Sequence, residues 1–214
     1  MIISRGRNYI FVHVPKTGGT AMALALEDRA KKDDILIGDT PKARKRNHRL
    51  SDLNAAGRVW KHARLSDIDG VVSPDEMDGM FIFTLVRNPW DRLVSYYHWL
   101  QVQSFDHPAV TLAQTLAFEP FLRDPATVQS LRTSKTEQYV TDITGRVRCD
   151  AFVRLEHLRP DLTPVEAHLG FRLDLKRVNR SERASDYRQY YDDSLAEFVQ
   201  VLCAEDIARF GYSF

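Results

Sequence analysis

The chain has 214 residues, of which 43% are hydrophobic and 28% charged, and its mean hydropathy is −0.36. This composition is typical of a globular protein and excludes a disordered chain, while the length favours one domain, 1–214, over two. The longest strongly apolar run, 80–86, is far too short to span a bilayer. Without a secretory signal, and with only Cys149 and Cys203 as thiols, the sequence predicts a reduced, cytoplasmic protein.

Strand and helix patterns alternate along the chain. The strand patterns cover 8–14, 58–61, 80–86 and 151–155. The helical patterns cover 20–32, 51–56, a turn from 73, 88 to about 103, 111–123, 134–142, 163–170 and 194 to about 210. This order predicts an α/β fold in one domain, with three layers, a central parallel sheet and a P-loop-like arrangement. Ligands of such folds bind at the carboxyl ends of the strands.

Positive charge is concentrated in one segment. The net charge is only +1, but segment 41–64 holds one acid, Asp52, and eight basic residues. These basic residues are Lys42, Arg44, Lys45, Arg46, Arg49, Arg58, Lys61 and Arg64. The segment is either a solvated loop or a surface that attracts an anionic partner, and the sequence leaves both interpretations open.

The first motif is the sequence PKTGGT at 15–20, between a predicted strand and a predicted helix. The start of such a helix points main-chain N–H groups at an anion, and Gly18 and Gly19 allow the backbone to approach it closely. Lys16 adds a positive charge, and Thr17 and Thr20 add hydroxyl groups. Because the lysine precedes the glycines, this is not a Walker A loop. The motif predicts a phosphate-binding turn.

The second motif, at 87–95, follows the strand pattern 80–86. Arg87 ends the strand, and Ser95 lies eight residues later in the helix that Asn88 and Pro89 begin. An arginine and a hydroxyl at a strand–helix junction predict a second anion site. Magnesium-dependent nucleotide hydrolases typically carry an Asp at such a strand end, so the arginine here predicts direct phosphate binding without a metal.

Together the two motifs resemble those of the sulfotransferases that use 3′-phosphoadenosine 5′-phosphosulfate (PAPS). The sequence at 15–20 resembles their 5′-phosphosulfate loop, and the sequence at 87–95 resembles their 3′-phosphate motif. The form PKTGGT is closest to the carbohydrate enzymes, including the heparan 2-O-sulfotransferase group. Weaker resemblances follow at 152–158, a late strand, and at 178–181, a loop that closes over the nucleotide in the family.

The resemblance implies a role for each motif residue. Lys16, Thr17, Gly18, Gly19 and Thr20 would hold the 5′ end of PAPS. Lys16 would also stabilise charge on the bridging oxygen as the sulfuryl group leaves. Arg87 and Ser95 would hold the 3′-phosphate, the group that distinguishes PAPS and its product PAP from adenylates.

The acceptor's hydroxyl proton requires a base, and seven histidines are candidates. His62 lies between the two motifs, is predicted to follow a strand, and resembles the catalytic histidine of the 2-O-sulfotransferase group. The neighbouring cations Lys61 and Arg64 are expected to lower its pKa and keep the ring neutral. His13 is predicted to be packed, His98 to lie near the acceptor, and Glu137 to be a reserve base. The motifs and the resemblance therefore predict sulfuryl transfer from PAPS to a hydroxyl group of a carbohydrate. The basic residues of segment 41–64 favour an acidic glycan as this acceptor.

Two other functions fit the sequence less well. A small-molecule P-loop kinase lacks support because the Walker pattern is missing. A non-enzymatic protein that binds anions or nucleic acid would leave Lys16, Arg87 and Ser95 unexplained.

Overall fold

The computed structural model describes residues 1–176, 178 and 183–214. The chain forms two compact units. The first unit comprises 1–86 and 136–178, and the second comprises 87–135 and 179–214. Both motif-bearing segments are described, but of the predicted closing loop at 178–181 only Val178 is; the rest lies outside the described residues.

The first unit contains a mixed sheet. In the described part of the chain its five strands are β1 (Ile2–Ser4), β2 (Tyr9–Val12), β3 (Ile35–Leu36), β4 (Phe81–Val86) and β5 (Ala151–Arg154). Their spatial order is β3-β1-β2-β4-β5. Strands β2, β4 and β5 run parallel, whereas β1 pairs antiparallel with both β2 and β3. Val12 is opposite Thr84, so the carboxyl ends of β2 and β4 are neighbours.

The faces of this sheet are both buried. Along β2, Tyr9 and Phe11 belong to one apolar cluster, while Ile10 and Val12 belong to another. Side chains alternate in this way because successive residues of a pleated strand point to opposite faces of the sheet. Since both faces are buried, the sequences of the strands are nearly continuous apolar runs. Helix α1 (Gly19–Glu27) covers the first face, and α3 (Pro74–Asp78) covers the second. The arrangement confirms the predicted α/β class with layers on both sides.

Short helices complete the first unit. They are α2 (Pro41–Arg46), α8 (Thr136–Tyr139), α9 (Leu158–Asp161) and α10 (Thr163–Leu169). Ser73 caps α3 by accepting a bond from the Glu76 amide at 3.1 Å, as its sequence predicts. Gly170 ends α10 with φ of 75°, also as predicted.

The second unit is helical. Its helices are α4 (Pro89–Gln101), α5 (Pro108–Thr115), α6 (Phe118–Arg123), α7 (Pro125–Arg132), α11 (Asp193–Leu202) and α12 (Ala204–Phe210). Aromatic and aliphatic side chains of α4, α5, α6 and α11 form its core. The indole nitrogen of Trp90 donates to the carbonyl of Ala196 at 3.0 Å, which fastens α4 to α11.

Several sequence predictions were wrong in detail. The sheet is mixed rather than wholly parallel, because a three-residue strand, β1, pairs antiparallel beside β2. The segments predicted as a helix at 51–56 and a strand at 58–61 are turns and bends. Their backbone groups instead bond in local turns, as when the Leu53 amide donates to the Leu50 carbonyl at 3.3 Å and the Ala63 amide donates to the Trp60 carbonyl at 2.9 Å. No described helix is both long and apolar enough to cross a membrane.

Candidate active site

The loop at 15–20 has the backbone form of an anion-binding turn. It begins three residues after β2 and leads into α1, which starts at Gly19. Lys16 has φ of 65° and Gly18 has φ of 87°, so two of its residues adopt left-handed backbone conformations. That conformation costs a lysine about 1 kcal/mol or more, a strain that proteins retain mainly at functional sites. The first amides of α1 have no partner inside the helix and are available to an anion.

The side chain of Thr17 shapes this loop. Thr17 is 1% exposed, and its hydroxyl donates to the carbonyl of Val14 at 2.9 Å. Its hydroxyl hydrogen is therefore engaged within the protein, and only its main-chain amide suits the predicted contact to the 5′ end. Thr20, by contrast, lies in the first turn of α1 and borders a small pocket with Asp39 and Lys61.

Close packing explains why positions 18 and 19 are occupied by glycine. A Cβ on Gly18 would lie 3.0 Å from Leu155 Cδ1, in addition to the strain of its positive φ. A Cβ on Gly19 would overlap the imidazole ring of His13. The two glycines thus allow the loop to pack against neighbouring side chains while it turns into the helix.

His62 lies next to His13, the residue that follows β2. Its Nδ1 is 2.8 Å from the main-chain oxygen of His13, and the two imidazole rings are 4.6 Å apart in an edge-on arrangement. A carbonyl only accepts, so Nδ1 donates and the neutral ring keeps its lone pair on Nε2. His62 reaches this position from a turn, in which the Ala63 amide donates to the Trp60 carbonyl, and not from the predicted strand.

The pKa of His62 is lowered, which is the expected direction, but mainly by a different cause. Burial, aided by the charge of Lys61, lowers the pKa of His62 to about 4, although the bond to His13 opposes this. The expectation named only the neighbouring cations, whereas desolvation of the ring is the largest effect. At neutral pH the ring is unprotonated, and the pKa of His13 is also lowered well below its usual value by burial.

The predicted anion-attracting segment is largely engaged with the backbone. Lys42 donates to the carbonyl of Glu27, Arg46 to those of Lys31 and Asp34, and Arg49 to that of Lys32. These cations meet the carbonyls at and after the end of α1, where positive charge is favourable. Lys61 pairs with Asp39 at 2.6 Å. Arg44 and Lys45 are exposed on α2.

The second motif begins helix α4 in the second unit. The Asn88 side chain accepts from the amides of Trp90 and Asp91, and Pro89 occupies the first helical turn, so the Asn-Pro pair caps the helix as predicted. Asn88 also donates to the carbonyl of Ser213 at 3.0 Å. The cap fixes where α4 starts and so fixes the position of Arg87 just before it.

Arg87 belongs to a charged cluster that sequence reasoning missed. Its Nε and Nη2 donate to Asp91 Oδ2 at 2.8 and 2.7 Å. Arg183 Nη2 donates to the other oxygen, Oδ1, at 2.6 Å. The three side chains are only 12–18% exposed. One carboxylate thus holds two arginines.

Two buried nitrogens near this cluster have no hydrogen-bond partner within the described part of the chain. They are Arg183 Nη1 and His98 Nε2. Burial, followed by the charge of Arg183, lowers the pKa of His98. A buried guanidinium nitrogen without a partner is costly unless a ligand satisfies it, so the cluster fits an anion such as a phosphate. Ser95, one turn after Asp91 on α4, is 7% exposed.

The other features that the sequence singled out are Glu137, the late strand and possible metal ligands. Glu137 is exposed on α8. The late strand of the family resemblance is β5, where Arg154 pairs with Asp161 at 2.7 Å. Among the described residues, no three His, Cys, Asp or Glu side chains are grouped as metal ligands.

Comparison with known proteins identifies the class. A model described as the sulfotransferase family matches residues 1–213, and the chain therefore belongs to the sulfotransferase family. No curated protein matches the sequence.

A solved structure is similar in fold. The mouse sulfotransferase SULT7A1, complexed with PAP, has a TM-score of 0.53 at 16% sequence identity, over 94% of this chain and 84% of that one. At this identity the likeness concerns the fold alone, and it agrees with the P-loop-like α/β class predicted from the sequence.

Proposed function

We propose that the protein transfers a sulfuryl group from PAPS to a hydroxyl group of an acceptor and releases PAP. The observation that carries the proposal is the loop at 15–20, whose left-handed Lys16 and Gly18 present the start of α1 at the carboxyl end of β2. The neighbouring strand, β4, leads directly into Arg87. Membership of the sulfotransferase family and the PAP bound to SULT7A1 support the same activity.

In this proposal each element has one task. The amides of 17–20 and the Lys16 ammonium bind the 5′-phosphosulfate, and Arg87 and Ser95 bind the 3′-phosphate. Arg183 joins them, since its buried Nη1 needs an acceptor. As the bond from sulfur to the bridging oxygen breaks, negative charge grows on that oxygen, and Lys16 stabilises it. PAP leaves with the electron pair of the broken bond.

His62 is the proposed general base. The acceptor oxygen forms the new bond to sulfur while its proton passes to His62 Nε2, the nitrogen that the bond from Nδ1 leaves unprotonated. Because the pKa of His62 is about 4, the ring is unprotonated at neutral pH and its Nε2 lone pair is available. No step of this scheme uses a metal ion.

We further propose a carbohydrate acceptor, O-sulfation and a cytoplasmic location. The sequence PKTGGT, close to that of the heparan 2-O-sulfotransferase group, supports a carbohydrate. The exposed Arg44 and Lys45 leave positive charge for an acidic glycan, whereas the engagement of Lys42, Arg46 and Arg49 with carbonyls argues against a nucleic-acid surface.

A nucleotide panel tests the donor. The unfolding temperature is measured with PAP, with AMP and with ATP plus Mg²⁺, each at the same excess. A ligand at 100 times its Kd stabilises the native state by about 2.7 kcal/mol, so binding is readily detected. PAP alone is expected to raise the unfolding temperature substantially. Stabilisation by ATP and Mg²⁺ but not by PAP would indicate a kinase, and no response to any nucleotide would contradict the proposal.

A further inference from the structure

The ring of His13 fills the space between β2 and the start of α1. His13 follows β2 by one residue, is 6% exposed, and stacks on Phe11 with ring centroids 5.9 Å apart. On its other side the ring lies so close to Gly19 that a Cβ there would overlap it. The width of this imidazole therefore sets how near helix α1 approaches the end of β2.

The same residue contacts His62 twice. Its carbonyl accepts from His62 Nδ1 at 2.8 Å, and its ring lies edge-on to the His62 ring with centroids 4.6 Å apart. Trp60 contacts His62 as well, with ring centroids 5.1 Å apart. One residue, His13, thus touches both the first residue of α1 and the proposed base.

We propose that His13 is the positioning residue of the base. Its carbonyl keeps the His62 proton on Nδ1, and its ring fixes the distance between His62 and the phosphosulfate loop. The inference rests on the proposed function, in which Nε2 of His62 takes the acceptor's proton. Sequence reasoning assigned His13 only to packing.

The role requires the volume of the ring rather than its nitrogens. Alanine would leave a gap beside Gly19, so the His62 ring would gain room to rotate and water would reach it. Phenylalanine would keep a flat ring between Phe11, Gly19 and His62. The charged and titratable groups that act on the two imidazoles are Lys16, Lys61, Asp39 and the Met1 amino group, and these substitutions leave all of them in place.

The first test is an NMR titration of the imidazole nitrogens in the full chain, which needs no substrate. In the wild type, His62 should carry its proton on Nδ1 and titrate near pH 4. His13→Phe should leave both properties unchanged. His13→Ala should move the titration toward the ordinary value of 6.5 and mix the tautomers. His168, whose Nε2 donates to the Arg7 carbonyl at 2.9 Å, is the internal control that should not change.

The second test is turnover on a hydroxyl acceptor that takes label from [³⁵S]PAPS. A misplaced catalytic group can cost up to about 100-fold, so His13→Ala should lose about 10- to 100-fold in kcat with PAP affinity nearly unchanged. His13→Phe should retain most of the rate. If His13→Ala does not fold, His13→Val replaces it. The smaller side chain still leaves a gap beside Gly19, so a titration shift in the same direction is expected.

Two results would overturn the inference: an unchanged His62 titration and tautomer in His13→Ala, or a His13→Phe variant as impaired as His13→Ala. The proposed function fails separately. If the wild type neither binds PAP nor transfers sulfuryl while the titrations behave as described, His13 still positions His62, but the activity assigned to His62 is wrong.

Discussion

Asp91 holds the guanidinium of Arg87 through two nitrogens, at 2.8 and 2.7 Å, and holds Arg183 with its second oxygen at 2.6 Å. The carboxylate therefore orients two cations before any ligand arrives. A phosphate that binds there meets two guanidinium groups that are already oriented, so the arginines need little reorganisation to receive it.

Replacement of Asp91 by asparagine tests this arrangement. Asn keeps the shape of the side chain but removes the charge that offsets Arg87 and Arg183. Loss of one partner of a largely buried ion pair is destabilising, and we expect a loss of about 3 kcal/mol in the free energy of unfolding. PAP should recover more of this stability than AMP does, because only PAP brings a 3′-phosphate. Equal recovery by both nucleotides in denaturant titrations would contradict this role for Asp91.

Arg87→Ala should remove the preference for PAP over AMP. A hydrogen bond to a charged group is worth about 1.5–3 kcal/mol, so PAP affinity should fall by roughly 10- to 150-fold while AMP affinity changes little. Calorimetry on the two nucleotides measures both affinities. Arg123→Ala is the matched control, since Arg123 forms an exposed ion pair with Glu119 in the same unit. Equal affinity of the wild type for PAP and AMP would rule out a 3′-phosphate site.

Lys16→Ala should lower kcat more than it weakens PAP binding. The contact of its ammonium strengthens as charge develops on the leaving oxygen, and such a contact affects the transition state more than the ground state. Steady-state kinetics together with PAP calorimetry separate the two effects, with Lys32→Ala, at an exposed position after α1, as control. A normal kcat with only a raised KM for PAPS would show that Lys16 serves binding alone.

His62→Ala should fold, bind PAP and lose turnover by a factor of about 10²–10⁴, the usual contribution of a general base. In the wild type, the rate should fall only as the pH drops through about 4, because protonation below that pKa removes the base. His62→Ala should lack this acidic limb, whereas His48→Ala, at an exposed position, should retain it. If His62→Ala turns over normally, the base is another residue, with His98 or Glu137 the next to test.

The sequence predicted the elements that carry strong local signals. The apolar runs of β2 and β4, the Asn88-Pro89 cap and the turn at Gly18 depend on residues close together in the chain, and each is present. The antiparallel β1 was missed because three residues have no measurable periodicity and depend on distant partners. The strand predicted at 58–61 was wrong, since Val59 and Trp60 have strand propensity but their segment bonds to local turns.

In the candidate site, too, the sequence predicts the local contacts but not those between distant residues. The spacing of Arg87 and Asp91 by four residues is a local ion-pair signal that was available from the sequence. Arg183 is 92 residues from Asp91, and no pattern in the sequence joins them. The pKa of His62 depends on how deeply the fold buries the ring, which composition and spacing do not determine.

Transfer of radioactive label directly measures whether the protein transfers a sulfuryl group from PAPS to a hydroxyl group. The protein is incubated with [³⁵S]PAPS and EDTA, with an acidic polysaccharide, a neutral polysaccharide, a phenol and a tyrosyl peptide offered separately, and with Lys16→Ala as the inactive control. We expect label to appear on a hydroxyl acceptor, with the acidic polysaccharide preferred, one PAP to form for each sulfuryl transferred, and EDTA to have no effect. Absence of label from every acceptor, or activity that appears only with ATP and Mg²⁺, would contradict the proposed sulfuryl transfer.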